Sequence, residues 1–209
     1  DIEKYPKRRT LTQTEVIDRF TTSLENALTV TSKEFIEYAQ SNAINFQTDI
    51  IKLPTGDGAA IVFSFDGLHD IHLYFAKALL KEIYETNLST PCEKFNDQGW
   101  CNCHSNFGIR IAISEGRGII YKDVNNQYNV AGGVINLASR VMGYADKNQI
   151  IFTKEAYQQI IDLVDDPNLV DRFVEYTGVP IKHDLTIEVY QYVDEGEAYI
   201  DSNSPKDLS

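Results

Sequence analysis

Asp57 stands between two glycines in the run Pro54-Thr55-Gly56-Asp57-Gly58. A carboxylate in that setting has two readings. It can serve the turn itself, because Asp-Gly pairs tolerate the backbone of tight turns. It can also be presented to a divalent metal, with the glycines letting a phosphate group come close. Asp1 offers a second carboxylate, and the apolar Ile2 after it reads as the end of a strand. Two carboxylates meeting across a sheet are the hard-oxygen donors that Mg²⁺ or Mn²⁺ prefers, and nucleotide phosphates would complete the shell. Asn136 and Arg140 are four residues apart in a helical pattern, so they share a face. They read either as an exposed polar stripe or as an amide and a guanidinium aimed at one ligand, with Arg gripping phosphate oxygens through its planar fork. Gly132-Gly133 ahead of that helix would let a ligand or a partner backbone approach.

Two further clusters carry weaker signals. Cys92, Cys101, Cys103 and His104 are zinc-ligand types. The Cys-x-Cys-His spacing is not that of a usual zinc knuckle, and the expectation is ordinary reduced thiols in a loop. Tyr74, Phe75 and Tyr84, at helical spacing, are expected in core or dimer packing rather than as a base-stacking platform.

Those residues need elements to hold them. Val16, Phe20, Leu24 and Leu28 recur every fourth residue, which predicts a helix over 12–28. Thr12 and Glu15 fit a capping box at its start, and 32–40 could continue the helical region. Runs 48–53 and 59–65 predict a hairpin around the Gly-Asp-Gly turn. Ile71, Phe75, Leu79 and Ile83 predict a helix over 69–86, and the polar stretch 87–106 reads as a long loop. Runs 109–113 and 118–122 are expected as a second hairpin around Ser-Glu-Gly-Arg. A helix over 132–145 follows, with Val134, Leu137, Ala138 and Val141 inward. A strand over 149–153, a helix over 154–164 and closing strands over 171–176 and 186–193 complete the pattern. Residues 195–209 read as a polar C-terminal tail after a single domain over 1–194. This order of helices and hairpins predicts an α+β sandwich with a mostly antiparallel sheet carrying helices. No P-loop or Rossmann glycine motif is present.

Composition bounds the function. The 209 residues are 43% hydrophobic and 24% charged, enough for one good core and too apolar for a disordered chain. Net charge is −12, from 19 Lys and Arg against 31 Asp and Glu. A backbone-tracking nucleic-acid groove is basic, so nucleic acid is not an expected partner. No apolar run reaches bilayer length, so no membrane span is expected. Three cysteines within a dozen residues are not a secreted disulfide framework, and a cytoplasmic location is expected. The chain opens on Asp1-Ile2 without Met or a signal-peptide pattern, which reads as a start preceded by further residues.

Taken together, the sequence resembles the catalytic domain of class III nucleotide cyclases, the adenylate/guanylate cyclase family. Asp1-Ile2-Glu3-Lys4-Tyr5 is similar to that family's Asp-Ile-x-Gly-Phe. Thr55-Gly56-Asp57-Gly58 is similar to its hairpin Gly-Asp-Gly, and 132–140 is similar to its Gly-x-x-Val-Asn-x-Ala-x-Arg. The resemblance implies the ferredoxin-like, palm-type class III cyclase fold. It implies two divalent cations, Mg²⁺ or Mn²⁺, held by Asp1, Asp57 and the Ile2 carbonyl. It further implies that Asn136 orients the ribose of a ribonucleoside triphosphate and Arg140 stabilises charge on the α-phosphate. Lys182 looks like the triphosphate-binding lysine, although the glycine that usually follows it is His183 here. Family members place the metal carboxylates on one subunit and the Asn/Arg pair on the other. A chain holding both sets is therefore expected to form a head-to-tail homodimer with its active sites at the interface.

The pattern departs from adenylate cyclases in the base pocket. They read adenine with a Lys four residues before the hairpin Asp and an Asp seven before the Asn. Those positions hold Leu53 and Asn129, while Lys52 is one residue off and faces the other side of a strand. With the Pro-Thr-Gly-Asp-Gly turn and Tyr5, this profile resembles the bacterial Pycsar antiviral cyclases, which make cyclic UMP or cyclic CMP. That likeness implies a pyrimidine substrate, UTP ahead of CTP, with Tyr5, Leu53, Gly56, Asn129 and Lys182 around the nucleotide. Its implied product is a second messenger sensed by a separate cyclic-nucleotide effector. Asn129 can donate and accept, so it suits either pyrimidine edge. An adenylate or guanylate cyclase, or a catalytically inactive cyclase-like binding module, are the alternatives.

Overall fold

The computed structural model describes residues 1–181 and 185–208. They fall into two units, the first made of Asp1–Phe65 and Ile71–Ile109, the second of Asp66–Asp70 and Arg110–Ser209.

In the first unit the expected apolar stripes become helices. Val16, Phe20, Leu24 and Leu28 are all buried on α1 (Thr10–Glu34). Two short helices, α2 (Ile36–Ser41) and α3 (Phe46–Asp49), lead into β1 (Ile50–Pro54) and β2 (Ala59–Phe63). These two strands form the expected antiparallel hairpin, in register from Ile50 opposite Phe63 to Pro54 opposite Ala59. Ile71, Phe75, Leu79 and Ile83 are buried on α4 (Ile71–Leu88), which packs along α1. Phe75 meets Phe63 edge-on at 5.8 Å, tying the hairpin to this helix pair.

Two local expectations are corrected here. The Thr12/Glu15 capping box does not form: α1 starts at Thr10, and the Glu15 carboxylate accepts a hydrogen bond from the Ser105 hydroxyl instead. The stretch expected as one long loop contains α5 (Glu93–Gln98), stopped by Gly99 in the left-handed region at φ 73°. Its single short turn of apolar spacing is too little for periodicity to register.

The second unit is built on a sheet of order β3-β6-β8-β7: β3 (Ile111–Ile113), β6 (Ile150–Thr153), β7 (Phe173–Ile181) and β8 (Leu185–Tyr192). β3 and β6 run parallel, and the other neighbours are antiparallel. Along β6, successive side chains point to opposite faces. Ile151 joins Val141, Ala145, Val179 and Val189 under α6 (Gly133–Met142). Phe152 meets Phe173 at 5.1 Å, which meets Tyr157 of α7 (Lys154–Leu163), whose ring stacks on Tyr190 at 3.8 Å. Helices thus cover both faces, and all four β6 residues are buried.

The expected hairpin around Ser-Glu-Gly-Arg is also corrected. β3 pairs with β6 across a crossover, and β4 (Ile119–Lys122) pairs with β5 (Tyr128–Ala131). The turn is made by Asp123, whose carboxylate accepts from the N–H of Asn125 at 2.8 Å and of Gln127 at 3.0 Å, with Asn126 at φ 61°. It is a turn without glycine, whereas the glycine at 116 drew the sequence reading to the wrong gap. Residues 195–208, read from sequence as a polar tail, lie against this unit: Tyr199 and Ile200 are buried. The Asn203 carbonyl accepts from the Gln149 and Gln191 side chains at 2.8 Å each. Among the described residues, no helix is long and apolar enough to cross a membrane.

Candidate active site

The first set of site residues comes together through backbone contacts. The Ile2 N–H donates to the Asp57 carbonyl at 2.8 Å, and the Glu3 N–H donates to the Gly108 carbonyl at 3.0 Å. Ile2, 1% exposed, forms an antiparallel bridge with Ile109. The turn is closed by the Thr55 N–H to the Gly58 carbonyl at 3.1 Å, and Gly56 supplies the left-handed residue at φ 91°. Asp57 itself needs no unusual backbone and is half-buried at the turn tip. Two residues far apart in sequence, Asp1 and Asp57, are thereby neighbours.

Gly58 is the residue that sequence reasoning underrated. A Cβ built on it would lie 2.9 Å from the Asp1 Cα and 3.2 Å from its nitrogen. Backbone against backbone leaves no soft side chain to yield. The absence of a side chain at Gly58 is therefore what lets Asp1 lie over the turn. The residues expected to hold metal, two carboxylates and a peptide carbonyl, are hard oxygen donors, a type that suits Mg²⁺ or Mn²⁺ rather than a soft-ligand metal. Gly58→Ala is expected to lower kcat/KM by roughly a hundredfold through displacement of Asp1. It should also raise the Mn²⁺ concentration needed for half-maximal rate. A thermal midpoint lowered with the metal requirement unchanged would assign Gly58 a purely structural role.

The second set lies on α6. Asn136 and Arg140 are both exposed and four residues apart, as the helical reading required, while Val141 on the other face is fully buried. The remaining residues sort clearly. Leu53 is buried beside its register partner Ala60. Lys52 points the opposite way, and its ammonium pairs with the Glu25 carboxylate at 2.6 Å on the outside of β1. Asn129 is half-buried on β5, and its side-chain oxygen accepts from the Val130 N–H at 2.7 Å. Tyr5 is half-buried in the turn after Lys4. Lys182 lies outside the described residues.

One groove stands apart from all of these. It measures about 600 Å³ and is lined on the second unit by Glu115, Arg117, Glu155, Gln159 and Asp162 among others. Burial, opposed by His69 and reinforced by Asp66, raises the Glu115 carboxyl above its usual range. Among the described residues, none of the expected site residues lines this groove.

With the geometry in hand, similarity to solved structures defines the class of fold. The guanylate cyclase domain of RhGC from Catenaria anguillulae, solved in complex with GTP, matches at TM-score 0.55 and 14% identity over 92% of each chain. The adenylyl cyclase CyaB from P. aeruginosa matches at TM-score 0.52 and 17% identity, over 93% of this chain and 91% of that one. Trypanosoma brucei adenylate cyclases in their monomeric state match at 0.53 and 18%, over 92% and 86%. No family model and no curated protein sequence matches the chain. This chain has the α+β class III cyclase fold, the ferredoxin-like, palm-type architecture that its motifs lead one to expect.

Proposed function

We propose that this chain is a nucleotide cyclase that turns a pyrimidine ribonucleoside triphosphate, UTP ahead of CTP, into the 3′,5′-cyclic monophosphate and pyrophosphate. The observation that carries the reading is the meeting of Asp1 and Asp57 over Gly58. Asp1, Asp57 and the Ile2 carbonyl would hold two divalent cations, Mg²⁺ or Mn²⁺, which supply charge neutralisation for the triphosphate and the attacking ribose oxygen. Asn136 hydrogen-bonds the ribose and fixes its 3′-hydroxyl in line with the α-phosphorus. That positioning removes most of the entropic cost of ring closure. Arg140 offers a planar fork to the α-phosphate oxygens, where negative charge grows as the bond to pyrophosphate breaks. Lys182 would take the outer phosphates. Tyr5, Leu53, Gly56 and Asn129 surround the nucleotide.

The catalytic set is divided between the units, Asp1 and Asp57 on the first, Asn136 and Arg140 on the second. By the resemblance to class III cyclases, a head-to-tail homodimer is part of the proposal, each site taking the carboxylates of one protomer and the Asn/Arg pair of the other. The β4–β5 hairpin supports it. Ile119 and Tyr121 are exposed on the hairpin face that carries Asn129, an apolar surface suited to a second copy. The catalytic domain is taken over 1–194, with 195–209 following it. Free thiols at Cys92, Cys101 and Cys103 favour the cytoplasm. By the Pycsar likeness, the product serves antiphage defence through a separate cyclic-nucleotide effector.

The base preference follows from charge. Leu53 cannot donate to adenine, and Lys52 is turned away and paired with Glu25. Each charged hydrogen bond missing from an adenine pocket costs roughly 1–3 kcal/mol of discrimination. Equimolar ATP, GTP, CTP and UTP with Mn²⁺, read by mass spectrometry, test it. Cyclic UMP as the main product is expected. Cyclic CMP would overturn only the uracil preference, and cyclic AMP or GMP the pyrimidine reading. No cyclic product from any of the four would leave the binding-module alternative.

A further inference from the structure

The loop that closes the first unit gathers all three cysteines. The sulfurs of Cys92, Cys101 and Cys103 lie within 4.8 Å of one another, with Cys92 and Cys103 at 3.0 Å. The fold brings them together by specific devices. Cys92 precedes α5, Gly99 stops that helix and turns the chain, and Cys101 and Cys103 return beside the start. The expectation of ordinary loop thiols does not account for this convergence.

The surroundings point to a charged centre. Arg8 packs against the same loop and is 4% exposed. Its Nη1 donates to the carbonyls of Cys101 at 2.9 Å and Asn106 at 3.0 Å, while its Nε and Nη2 have no hydrogen-bond partner among the described residues. Its face lies over the Trp100 ring at 5.8 Å. A buried guanidinium with unspent donors calls for an anion. Cys101 acts electrostatically on both Arg8 and Arg19, alongside Glu3 on the first and Glu15 on the second.

We propose that Cys92, Cys101 and Cys103 bind a zinc ion as a three-thiolate structural site, with a nitrogen or oxygen donor in the fourth position. Three thiolates around Zn²⁺ carry one net negative charge, which would add to the Glu3 carboxylate in balancing Arg8 and face its unspent donors. Sulfurs at about 2.3 Å from a tetrahedral zinc stand about 3.8 Å apart, within the observed spread. A Cys92–Cys103 disulfide would be neutral, would leave Cys101 out and would do nothing for Arg8. Through Arg8, the zinc would fasten the 92–106 segment to the chain that begins with Asp1 and Ile2. The site is independent of the cyclase reading, since none of its residues takes part in that chemistry.

The test uses the full chain expressed with added zinc and purified under reductant without chelators. Elemental analysis is expected to give one zinc per chain, and X-ray absorption at the zinc edge three sulfurs at about 2.3 Å. Cys101→Ser should retain less than a tenth of the metal. To keep the test independent of that variant's folding, wild-type protein stripped of zinc is also titrated with Co²⁺. A thiolate-to-cobalt charge-transfer band saturating at one equivalent is expected. Wild-type protein that binds neither Zn²⁺ nor Co²⁺ at micromolar concentration would overturn the site. So would zinc seen with nitrogen and oxygen neighbours only, or an unreduced mass lighter by two hydrogens.

Discussion

Asp57→Ala is expected to lower kcat/KM at least about a thousandfold, with whichever triphosphate the wild-type protein converts. The magnitude follows from the removal of a carboxylate that would hold metal against the triphosphate. The substitution is clean because Asp57 enters the fold through its backbone. The carbonyl that accepts from Ile2 remains in alanine, and the strained position of the turn is Gly56 at φ 91°. The side chain is half-buried at a turn tip and contributes little to the core. Stability should change by no more than about 0.5 kcal/mol, readable as an unshifted thermal midpoint. The pairing of lost activity with intact melting is the informative result. A wild-type rate in this variant would remove Asp57 from the metal site and sink the cyclase proposal.

What could be read from sequence was whatever is local. The stripes of α1 and α4 depend only on residues three and four apart, and every residue expected inward on them is buried. The β1–β2 hairpin is encoded in a single turn, and the period of two that sends Lys52 out and Leu53 in is visible in adjacent letters. The partners of β3 were not legible, because its neighbour β6 lies nearly forty residues on. Nothing in Ile111–Ile113 distinguishes a hairpin strand from a crossover strand.

The site divides along the same line. Asp57, Asn136 and Arg140 announce themselves by spacing within one motif each. The role of Gly58 arises from contact with Asp1, so only the assembled unit shows why a glycine must follow the turn-tip aspartate. The thiol cluster is a similar case. The spacing of Cys92, Cys101 and Cys103 matches no standard zinc knuckle, because α5 and the Gly99 turn, not a tight knuckle, close the loop. Arg8, the buried cation that gives the cluster its electrostatic sense, comes from another part of the chain altogether.

Mixing two inactive variants is the test of shared sites. Asp57→Ala lacks a carboxylate of the first unit and Arg140→Ala lacks the guanidinium of the second. Each alone should be about a thousandfold slow. In a head-to-tail dimer of one of each, one site takes both defects and the other takes none. Random exchange of equal amounts makes half the dimers mixed, and each mixed dimer has one intact site of two. The mixture should therefore recover about a quarter of the wild-type rate per chain, with subunit exchange followed by mass-tagged protomers. Recovery should be lost again when one of the partners carries both substitutions, because no arrangement then yields an intact site. Two variants that exchange fully and stay inactive would mean that each chain completes its own site. Asp1, Asp57, Asn136 and Arg140 would then have to act within a single protomer, and the exposed β4–β5 hairpin would need another explanation.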